Sequence, residues 1–233
     1  MLKEMDPNGQ RTLFLAGANE FLMPEGSMEQ TPDVLASPFA KAYEMLGYDR
    51  VYCTAREAAW LEKNSGPLPS FLHPVGEEVG TDIISVGNSK IGLVLFPELE
   101  PDAREPRQST LREIKNAAKE LRPEVNLLIG MSPWGISLEQ QFLNTSDPVF
   151  DIILGAGPGR GLVGELSQTD SVLWARAYSK GKYLQFIHVF AWPDPGHNPK
   201  LVLEQNVAVE IKPLDEETPE VREIRKLFEN AGF

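Results

Sequence analysis

The chain has 233 residues, of which 42% are hydrophobic and 24% charged, a composition typical of a soluble globular protein with one large domain or two small ones. It carries 22 Lys and Arg against 34 Asp and Glu, and this net charge of −12, without any clustered basic stripe, argues against nucleic-acid binding. No run approaches the roughly 20 consecutive apolar residues that span a bilayer, and a single cysteine, Cys53, excludes an internal disulfide.

The first part of the chain alternates short β-type runs with helical patterns, which predicts βαβ units and a largely parallel sheet. The run TLFLAGAN is the first predicted strand. Thr31-Pro32-Asp33 resembles a helix N-cap with proline in the first turn, and predicts a helix to about Leu46 that Gly47 ends. RVYCTA returns to the sheet, and AREAAWLEKN predicts a second helix that stops at Gly66-Pro67.

The middle of the chain predicts a hairpin followed by two more strand–helix steps. TDIISVGNSKIGLVLFP reads as two strands joined through residues 87–90. Thr110 with Glu113 predicts a capping box for a helix to Leu121, and Ser137 with Gln140 predicts one for the helix ISLEQQFL. VNLLIGMS and FDIILGAG are the predicted strands of this part.

From about Leu162 the chain contains four β-type runs without helices between them, which predicts a second, antiparallel sheet packed on the first. Thr218-Pro219-Glu220 predicts the capped start of a C-terminal helix. The apolar face of that helix (Val221, Ile224, Leu227, Phe228) has the spacing of a core-facing surface. Since no linker is evident, we expect residues 1–233 to form a single domain.

Four of the apolar runs break into short loops: residues 17–20, 54–57, 132–135 and 155–161. Ligands of open α/β sheets bind where strands end and loops begin, so we expect these four loops to line one crevice. They contain no histidine and almost no carboxylate. The loops are therefore placed as in an α/β active site, but they lack the side chains that usually carry out catalysis.

The order of these elements and loops resembles the calcineurin-like metallophosphoesterases, in particular their 5′-nucleotidase and UDP-sugar hydrolase branch. In that branch the four strands end in Gly-Asp, Gly-Asn-His-Glu, His-x-Gly and Gly-His-x-His, and these groups hold two metal ions. Here the corresponding positions are Ala18 or Asn19, then Thr54-Ala55-Arg56-Glu57, then Pro133 with Gly135 retained, and finally Gly157 and Gly159.

The resemblance implies an α/β fold (an α+β sandwich), with a parallel or mixed sheet and helices packed against a second, largely antiparallel sheet. The family begins with an Asp-x-His strand, and nothing of that kind precedes Thr12, where only Asp6 is acidic. No signal peptide is evident in the same segment. Relatives of this branch are usually exported, so a periplasmic or extracytoplasmic location is expected from the resemblance, with a cytoplasmic one left open.

Alanine, proline and glycine offer no side-chain donor to a metal ion, so no metal and no cofactor is expected. The residues left in the former site allow two interpretations each. Cys53 is either a thiol activated by nearby Arg56 or a small buried apolar side chain. Arg56 and Arg160 form either an anion clamp or local ion pairs, for example with Glu57.

Two further features of the former site are equally open. Residues 155–161 (GAGPGRG) follow a strand, and are either an anion-binding loop or a tight turn; they match neither the dinucleotide nor the P-loop pattern. Trp134 either fills the space of the metals or marks a binding surface.

Three functions follow from these readings. The leading hypothesis is a catalytically inactive, 5′-nucleotidase-like protein that acts as a binding or interaction module. A protein partner or a second copy would complete its sheet edge, and a small anion is the other ligand class considered. The alternatives are a phosphoester hydrolase with a rearranged site, using Asp151, Glu57 or His197 as ligands, and a thiol redox protein acting through Cys53.

Overall fold

The computed structural model describes residues 12–23, 28–100, 103–145, 149–167, 172–177, 181–197 and 200–233. The chain divides into two compact units: unit 1 comprises Met1–Val75 and Thr218–Phe233, and unit 2 comprises Gly76–Glu217. The single domain expected from the sequence stays a prediction. Within the described residues, no helix is both long and apolar enough to cross a membrane. Asp6 and its neighbours before Thr12 lie outside the described residues.

Unit 1 contains a three-stranded parallel sheet in the order β1-β2-β3. Its elements are β1 (Leu15–Ala16), α1 (Ala36–Leu46), β2 (Arg50–Cys53), α2 (Ala55–Ser65), β3 (Leu72–Pro74) and α5 (Arg222–Glu229). The predicted strand and helix on either side of Thr54 are confirmed, and α1 ends at Gly47 in the left-handed conformation (φ 77°) as expected. β1 is much shorter than the predicted run from Thr12.

The core of unit 1 forms around β2, whose inner three residues are all buried, as is usual for a strand covered on both sides. Val51, Cys53 and Leu61 are fully buried together with Ala36. The helix α5 contributes a half-buried face, on which the ring of Phe228 packs edge-on against Phe39 at a centroid distance of 5.4 Å.

Unit 2 contains a six-stranded mixed sheet in the order β4-β5-β6-β7-β9-β8 and a two-stranded antiparallel sheet, β10-β11. Its strands are β4 (Gly80–Val86), β5 (Ser89–Leu95), β6 (Leu127–Ser132), β7 (Ile152–Gly155), β8 (Leu162–Leu166), β9 (Leu173–Arg176), β10 (Tyr183–Val189) and β11 (Val207–Pro213). Its helices are α3 (Gln108–Leu121) and α4 (Ile136–Thr145). This mixed α/β architecture, with its additional antiparallel pair, confirms the predicted fold class.

The assignment of four runs to the second sheet is corrected by the structure. β9 pairs in parallel with β7, with Ile152 opposite Leu173, and β8 extends the same sheet on its far side. All four residues of β9 are buried, so this strand requires an interior position in a sheet covered on both faces. Only β10 and β11 form the separate antiparallel pair, and Gln185 ties it to β8 by donating from Nε2 to the carbonyl of Leu162 at 2.8 Å.

The predicted helix caps are wrong, although the helices themselves form. Thr31 does not cap α1, because its hydroxyl accepts a hydrogen bond from the Met23 N–H (3.2 Å) and a 3₁₀ turn precedes the helix. Thr110 and Ser137 lie inside α3 and α4, which begin upstream of them, and α5 begins after Val221 without a side-chain cap. The Ser/Thr-x-x-Glu/Gln pattern caps a helix only where its first residue is extended, and Thr110 and Ser137 are already helical.

Candidate functional site

The chain after β2 turns into α2 through a capping box that was not predicted, although Thr54 and Glu57 have the Ser/Thr-x-x-Glu/Gln spacing. The Thr54 hydroxyl accepts from the Glu57 N–H at 3.0 Å, and Glu57 Oε2 accepts from the Thr54 N–H at 2.9 Å. This reciprocal pair satisfies two of the N–H groups that a helix start leaves unpaired. Glu57 thus stabilises the start of α2.

The same carboxylate holds the loop that follows β1. Glu57 Oε2 accepts from the N–H of Asn19 at 3.0 Å, and Oε1 accepts from the N–H groups of Phe21 at 2.7 Å and Leu22 at 3.3 Å. Glu57 is 1% exposed, and Asn19 adopts a left-handed conformation (φ 69°) that turns its N–H inward while the residue itself stays exposed. Both carboxylate oxygens are therefore committed to backbone donors.

The two other candidates of unit 1 lie on either side of this loop anchor. Cys53 has no exposed surface and belongs to the core around β2. Arg56 is exposed, and its Nη1 donates to the carbonyl of Met23 at 3.1 Å. The structure thus brings Asn19 and Glu57 together, while Arg56 contacts the end of the same loop from outside.

A pair of tyrosines lies beside the loop. Tyr43 stacks on Tyr48 with ring centroids 4.8 Å apart, and its hydroxyl donates to Glu20 Oε2 at 2.7 Å. Burial, reinforced by the charge of Glu20, raises the pKa of Tyr48 to about 12 and also raises the pKa of Tyr43. Both hydroxyls are therefore protonated at neutral pH.

In unit 2, Trp134 follows β6 and is buried in the core. Its indole Nε1 donates to the carbonyl of Pro97 at 2.7 Å, and its ring packs against Phe96 with centroids 4.9 Å apart. The chain beside it joins the loop after β7, because the Gly135 N–H donates to the Ala156 carbonyl at 3.1 Å. Trp134 and the loop of Arg160 thus belong to one cluster.

The loop after β7 surrounds a guanidinium group. Arg176 Nη2 donates to the carbonyls of Ala156, Gly157 and Pro158 at 3.0, 2.9 and 3.2 Å, and its Nε donates to the carbonyl of Arg160 at 3.2 Å. Arg176 is 2% exposed, whereas the side chain of Arg160 is exposed. One interpretation of the sequence was that this loop binds an anion through its N–H groups. In the structure its carbonyl oxygens instead accept hydrogen bonds from the buried Arg176 guanidinium.

The charge of Arg176 is balanced by a buried acid on α4. Its Nη1 forms an ion pair with Glu139 Oε2, to which the indole Nε1 of Trp174 also donates at 2.9 Å. Burial raises the pKa of Glu139, while hydrogen bonds from Arg176, Trp174 and Ser132 oppose that rise. A Cβ atom on Gly155 would lie 2.1 Å from Glu139 Oε2, so glycine is required where the strand passes this acid.

A second buried ion pair lies at the other end of β7. Arg122 Nη1 contacts Asp151 Oδ2 at 2.6 Å, and the Leu128 N–H donates to the same oxygen at 2.7 Å. Burial raises the pKa of Asp151 above its usual value, against the opposing effect of Arg122. Asp151 precedes β7 while residues 156–161 follow it, so this acid and Gly157 and Gly159, which the resemblance matches to histidines, lie at opposite ends of one strand.

The positions equivalent to the family's metal ligands are divided between the two units. Ala18, Asn19 and the segment 54–57 lie in unit 1, whereas Pro133, Gly157 and Gly159 lie in unit 2. That all four loops line one crevice stays a prediction. Within the described part of the chain, no group of three or more His, Cys, Asp or Glu side chains is placed to hold a metal ion.

Sequence reasoning missed Arg176, Glu139 and Trp174. Two signals were available. Arg176 is a charged residue at the end of the otherwise apolar run LWAR, and Glu139 is an acid in the first turn of a short helix. Neither signal identifies its partner, because the two residues are far apart in the chain and β9 was expected in another sheet.

Comparison with known proteins shows the fold and not the function. Neither a protein-family profile nor a curated protein sequence matches the chain. The sulfate thiohydrolase SoxB of Thermus thermophilus, solved with glycerol, superposes with a TM-score of 0.67 at 16% identity, covering 94% of this chain and 42% of that one. The calcineurin-like phosphoesterase YfkN of Bacillus subtilis gives 0.57 at 14% identity, covering 99% of this chain and 84% of that one.

The NAD nucleotidase NadN of Haemophilus influenzae gives a TM-score of 0.59 at 11% identity, covering 98% of this chain and 54% of that one. The chain thus spans less than half of SoxB and about half of NadN. The metallophosphoesterase-like fold expected from the resemblance is confirmed.

Proposed function

We propose that this chain, which has the fold of the calcineurin-like metallophosphoesterases, is a catalytically inactive relative that acts as a binding or interaction module. The observation that carries the proposal is the guanidinium of Arg176, bonded to the carbonyls of the loop that contains both former histidine positions. The carbonyl oxygens of this loop therefore already accept hydrogen bonds from a cationic side chain of the same chain.

A metal ion at this loop would meet three obstacles. The side chains of Pro133, Gly157 and Gly159 supply no donor atom, and metal-activated water requires donors that neutralise and orient the ion. The carbonyl oxygens at positions 156–158 are already bonded. A metal ion that displaced Arg176 from these carbonyls would also leave the buried carboxylate of Glu139 without its partner.

The loops of unit 1 support the same proposal. Ala18 has no donor, and both oxygens of Glu57 accept backbone N–H groups, so binding a metal would break the anchor of the loop after β1. Asn19 offers at most an amide oxygen. These loops retain their shape through Glu57 without the chemistry of a hydrolase.

Most of the side chains that the alternative functions require are used elsewhere in the structure. A rearranged hydrolase would use Asp151, Glu57 or His197. Asp151 is buried in an ion pair and Glu57 in the loop anchor, while His197 is exposed in unit 2. Thiol redox chemistry needs an accessible Cys53, which has no exposed surface. No observation therefore favours either alternative over the module.

The proposed module has two ways to bind. In the described part of unit 1, β1 and β3 are the outer strands of the sheet, and an outer strand can pair with a strand of a partner protein or a second copy. A small anion is the other candidate ligand. The proposed extracytoplasmic location depends on the family resemblance alone.

The test is metal content together with hydrolysis. The purified chain, incubated with Mn²⁺, Zn²⁺ or Fe²⁺ and then desalted, is expected to retain substoichiometric metal, and to leave bis(4-nitrophenyl) phosphate and 5′-AMP intact. A metallophosphoesterase treated in parallel is the positive control. About two metal equivalents per chain, or hydrolysis that a chelator abolishes, would overturn the proposal.

A further inference from the structure

A surface pocket of about 400 Å³ lies within unit 1, next to the loop that Glu57 anchors. One wall is a single face of α2, formed by Arg56, Ala59, Trp60 and Lys63, whose spacing places them in adjacent turns of the helix. Among the described residues, the opposite wall comes from the chain between β1 and α1. The pocket is open to solvent, and its volume falls within the range of about 300–1,000 Å³ that is typical of small-molecule sites.

The charge of the pocket is opposite to that of the protein. Arg56 and Lys63 are both cationic, while Asp33 is the one acid among its described lining residues, and the chain carries a net charge of −12. Asp33 Oδ1 accepts a hydrogen bond from the indole Nε1 of Trp60 at 2.8 Å, so this carboxylate is already engaged. The pocket therefore favours an anion.

Arg56, one of the two cationic groups that would contact an anion, is held in place before it binds. Arg56 Nη1 donates to the Met23 carbonyl at 3.1 Å, and because a guanidinium carries five N–H donors, this bond leaves others for a ligand. Thr31 Oγ1 accepts from the Met23 N–H at 3.2 Å, which ties the opposite wall to the same point. Prior ordering of this kind reduces the entropy cost of binding.

Apart from Gln30, the remaining described residues of the lining are largely apolar. Trp60 is half-buried, and its hydrogen bond to Asp33 fixes the orientation of the indole ring. Ala59 and Leu22 flank it, together with the aliphatic stems of Arg56 and Lys63. A flat apolar group would find contact surface here that inorganic phosphate cannot use.

We propose that this pocket binds a small organic anion, in which a phosphate, phosphonate or carboxylate group is attached to a flat apolar body. Arg56 and Lys63 contact the charged group, and Trp60 with its apolar neighbours contacts the body. The inference deepens the proposed binding function and rests on it, since it names the ligand class of the module.

The experiment is calorimetric titration of the full chain with phenylphosphonate, which cannot be hydrolysed as a phosphate ester, and with phenylacetate. These two probes distinguish a phosphorus-based from a carboxylate ligand. Inorganic phosphate and phenol supply the charge and the ring separately. We expect at least one of the two aromatic anions to bind, and phosphate and phenol each to bind at least about tenfold more weakly than that anion.

Substitutions assign the site. Arg56→Gln is expected to weaken binding of the preferred anion by about tenfold or more, because it removes a charge-assisted hydrogen bond, and Lys63→Met is expected to weaken it severalfold. Lys41→Met, at an exposed position of α1, is the matched control and is expected to leave binding unchanged. Because Trp60 lines the pocket, binding is also expected to change the tryptophan emission of the wild type, and Trp60→Phe is expected to abolish that change.

Equal affinity of wild type and Arg56→Gln, inorganic phosphate as tight as the aromatic anion, or no binding of either aromatic anion at millimolar concentration would overturn the inference. These outcomes are separate from those that test the proposed function. Metal retention or phosphoester hydrolysis would overturn the proposal of an inactive protein. The calorimetric evidence on ligand binding at the pocket would still stand.

Discussion

Arg176 and Glu139 form an ion pair in the interior of unit 2, where the two residues are 2% and 1% exposed. The pair joins α4 to β9, and the remaining donors of the guanidinium join β9 to the loop after β7. Exchanging a buried ion pair for apolar residues is often tolerated, whereas removing one partner leaves the other charge uncompensated. This asymmetry makes the role of the pair testable.

Arg176→Met is expected to lower the free energy of unfolding by about 3–5 kcal/mol, because Glu139 and the loop carbonyls lose their partner. Urea unfolding measures the change, and Arg112→Met, at an exposed position of α3, is the control. The double variant Arg176→Met with Glu139→Leu is expected to recover part of the loss. A cost below about 1 kcal/mol for the single variant would show that the pair does not hold this loop.

Glu57→Gln is expected to destabilise the protein by about 2–3 kcal/mol. The amide keeps one acceptor but presents its NH₂ group to backbone donors of Asn19, Phe21 or Thr54, and it loses the charge at the start of α2. Urea unfolding gives the magnitude, and hydrogen exchange of the Asn19 and Phe21 amides locates the effect. Glu62→Gln, exposed on the same helix, serves as the control. Unchanged exchange at both amides would contradict the anchoring role.

Gly157→Ala is expected to lower the free energy of unfolding by about 3 kcal/mol, because it combines a left-handed backbone with a steric clash. Gly157 has φ 73°, and an added Cβ would lie 2.3 Å from the Pro133 carbonyl oxygen. Gly87→Ala is the matched control, since it has φ 61° but no atom within 4 Å, and about 1 kcal/mol is expected there. Equal costs would mean that the clash with the Pro133 carbonyl relaxes and that a Cβ atom fits this position.

The titration of Asp151 gives a prediction for pH. Burial raises its pKa in the folded chain above the usual 3.8, so the folded state binds this proton more tightly than the unfolded state. The stability that this group contributes is therefore fully present below 3.8 and is lost as the pH rises through the raised pKa.

Asp151→Asn lacks this titration, and the other acids cancel in the comparison. The unfolding free energy of the wild type minus that of the variant is expected to increase as the pH falls from neutral through the raised pKa of Asp151. Urea unfolding of both proteins across that range provides the measurement. A difference that shrinks on acidification would indicate that Arg122 dominates and lowers the pKa.

Local patterns predicted most helices and strands correctly. Adjacent residues determine the local conformation in these cases. Examples are the strand RVYC, which follows the helix stop at Gly47, and the Gly87-Asn88 turn between β4 and β5. The caps were predicted wrongly because a hydroxyl or a carboxylate can bond to more than one backbone group. Thr31 bonds to Met23, eight residues away, which no local pattern indicates.

That the candidate residues form a site stays a prediction, but the structure shows which of them lie together. Asn19 and Glu57 were singled out as remnants of a metal site, and they do lie together, through a hydrogen bond between residues 38 positions apart. Arg176 was not considered, because its importance depends on β9 lying beside β7. The side chain that lies against the loop after β7 therefore comes from a strand that only the topology places there.

By itself the sequence determined the order of elements, the loops at the ends of the strands, and the absence of histidine and near absence of carboxylates in those loops. These properties reside in single residues and short runs. Only the tertiary structure decided that Glu57 anchors the loop after β1 and that Arg176 is enclosed by the loop after β7. The physical reason is that buried charges must be compensated by partners, and the fold selects those partners from distant parts of the chain.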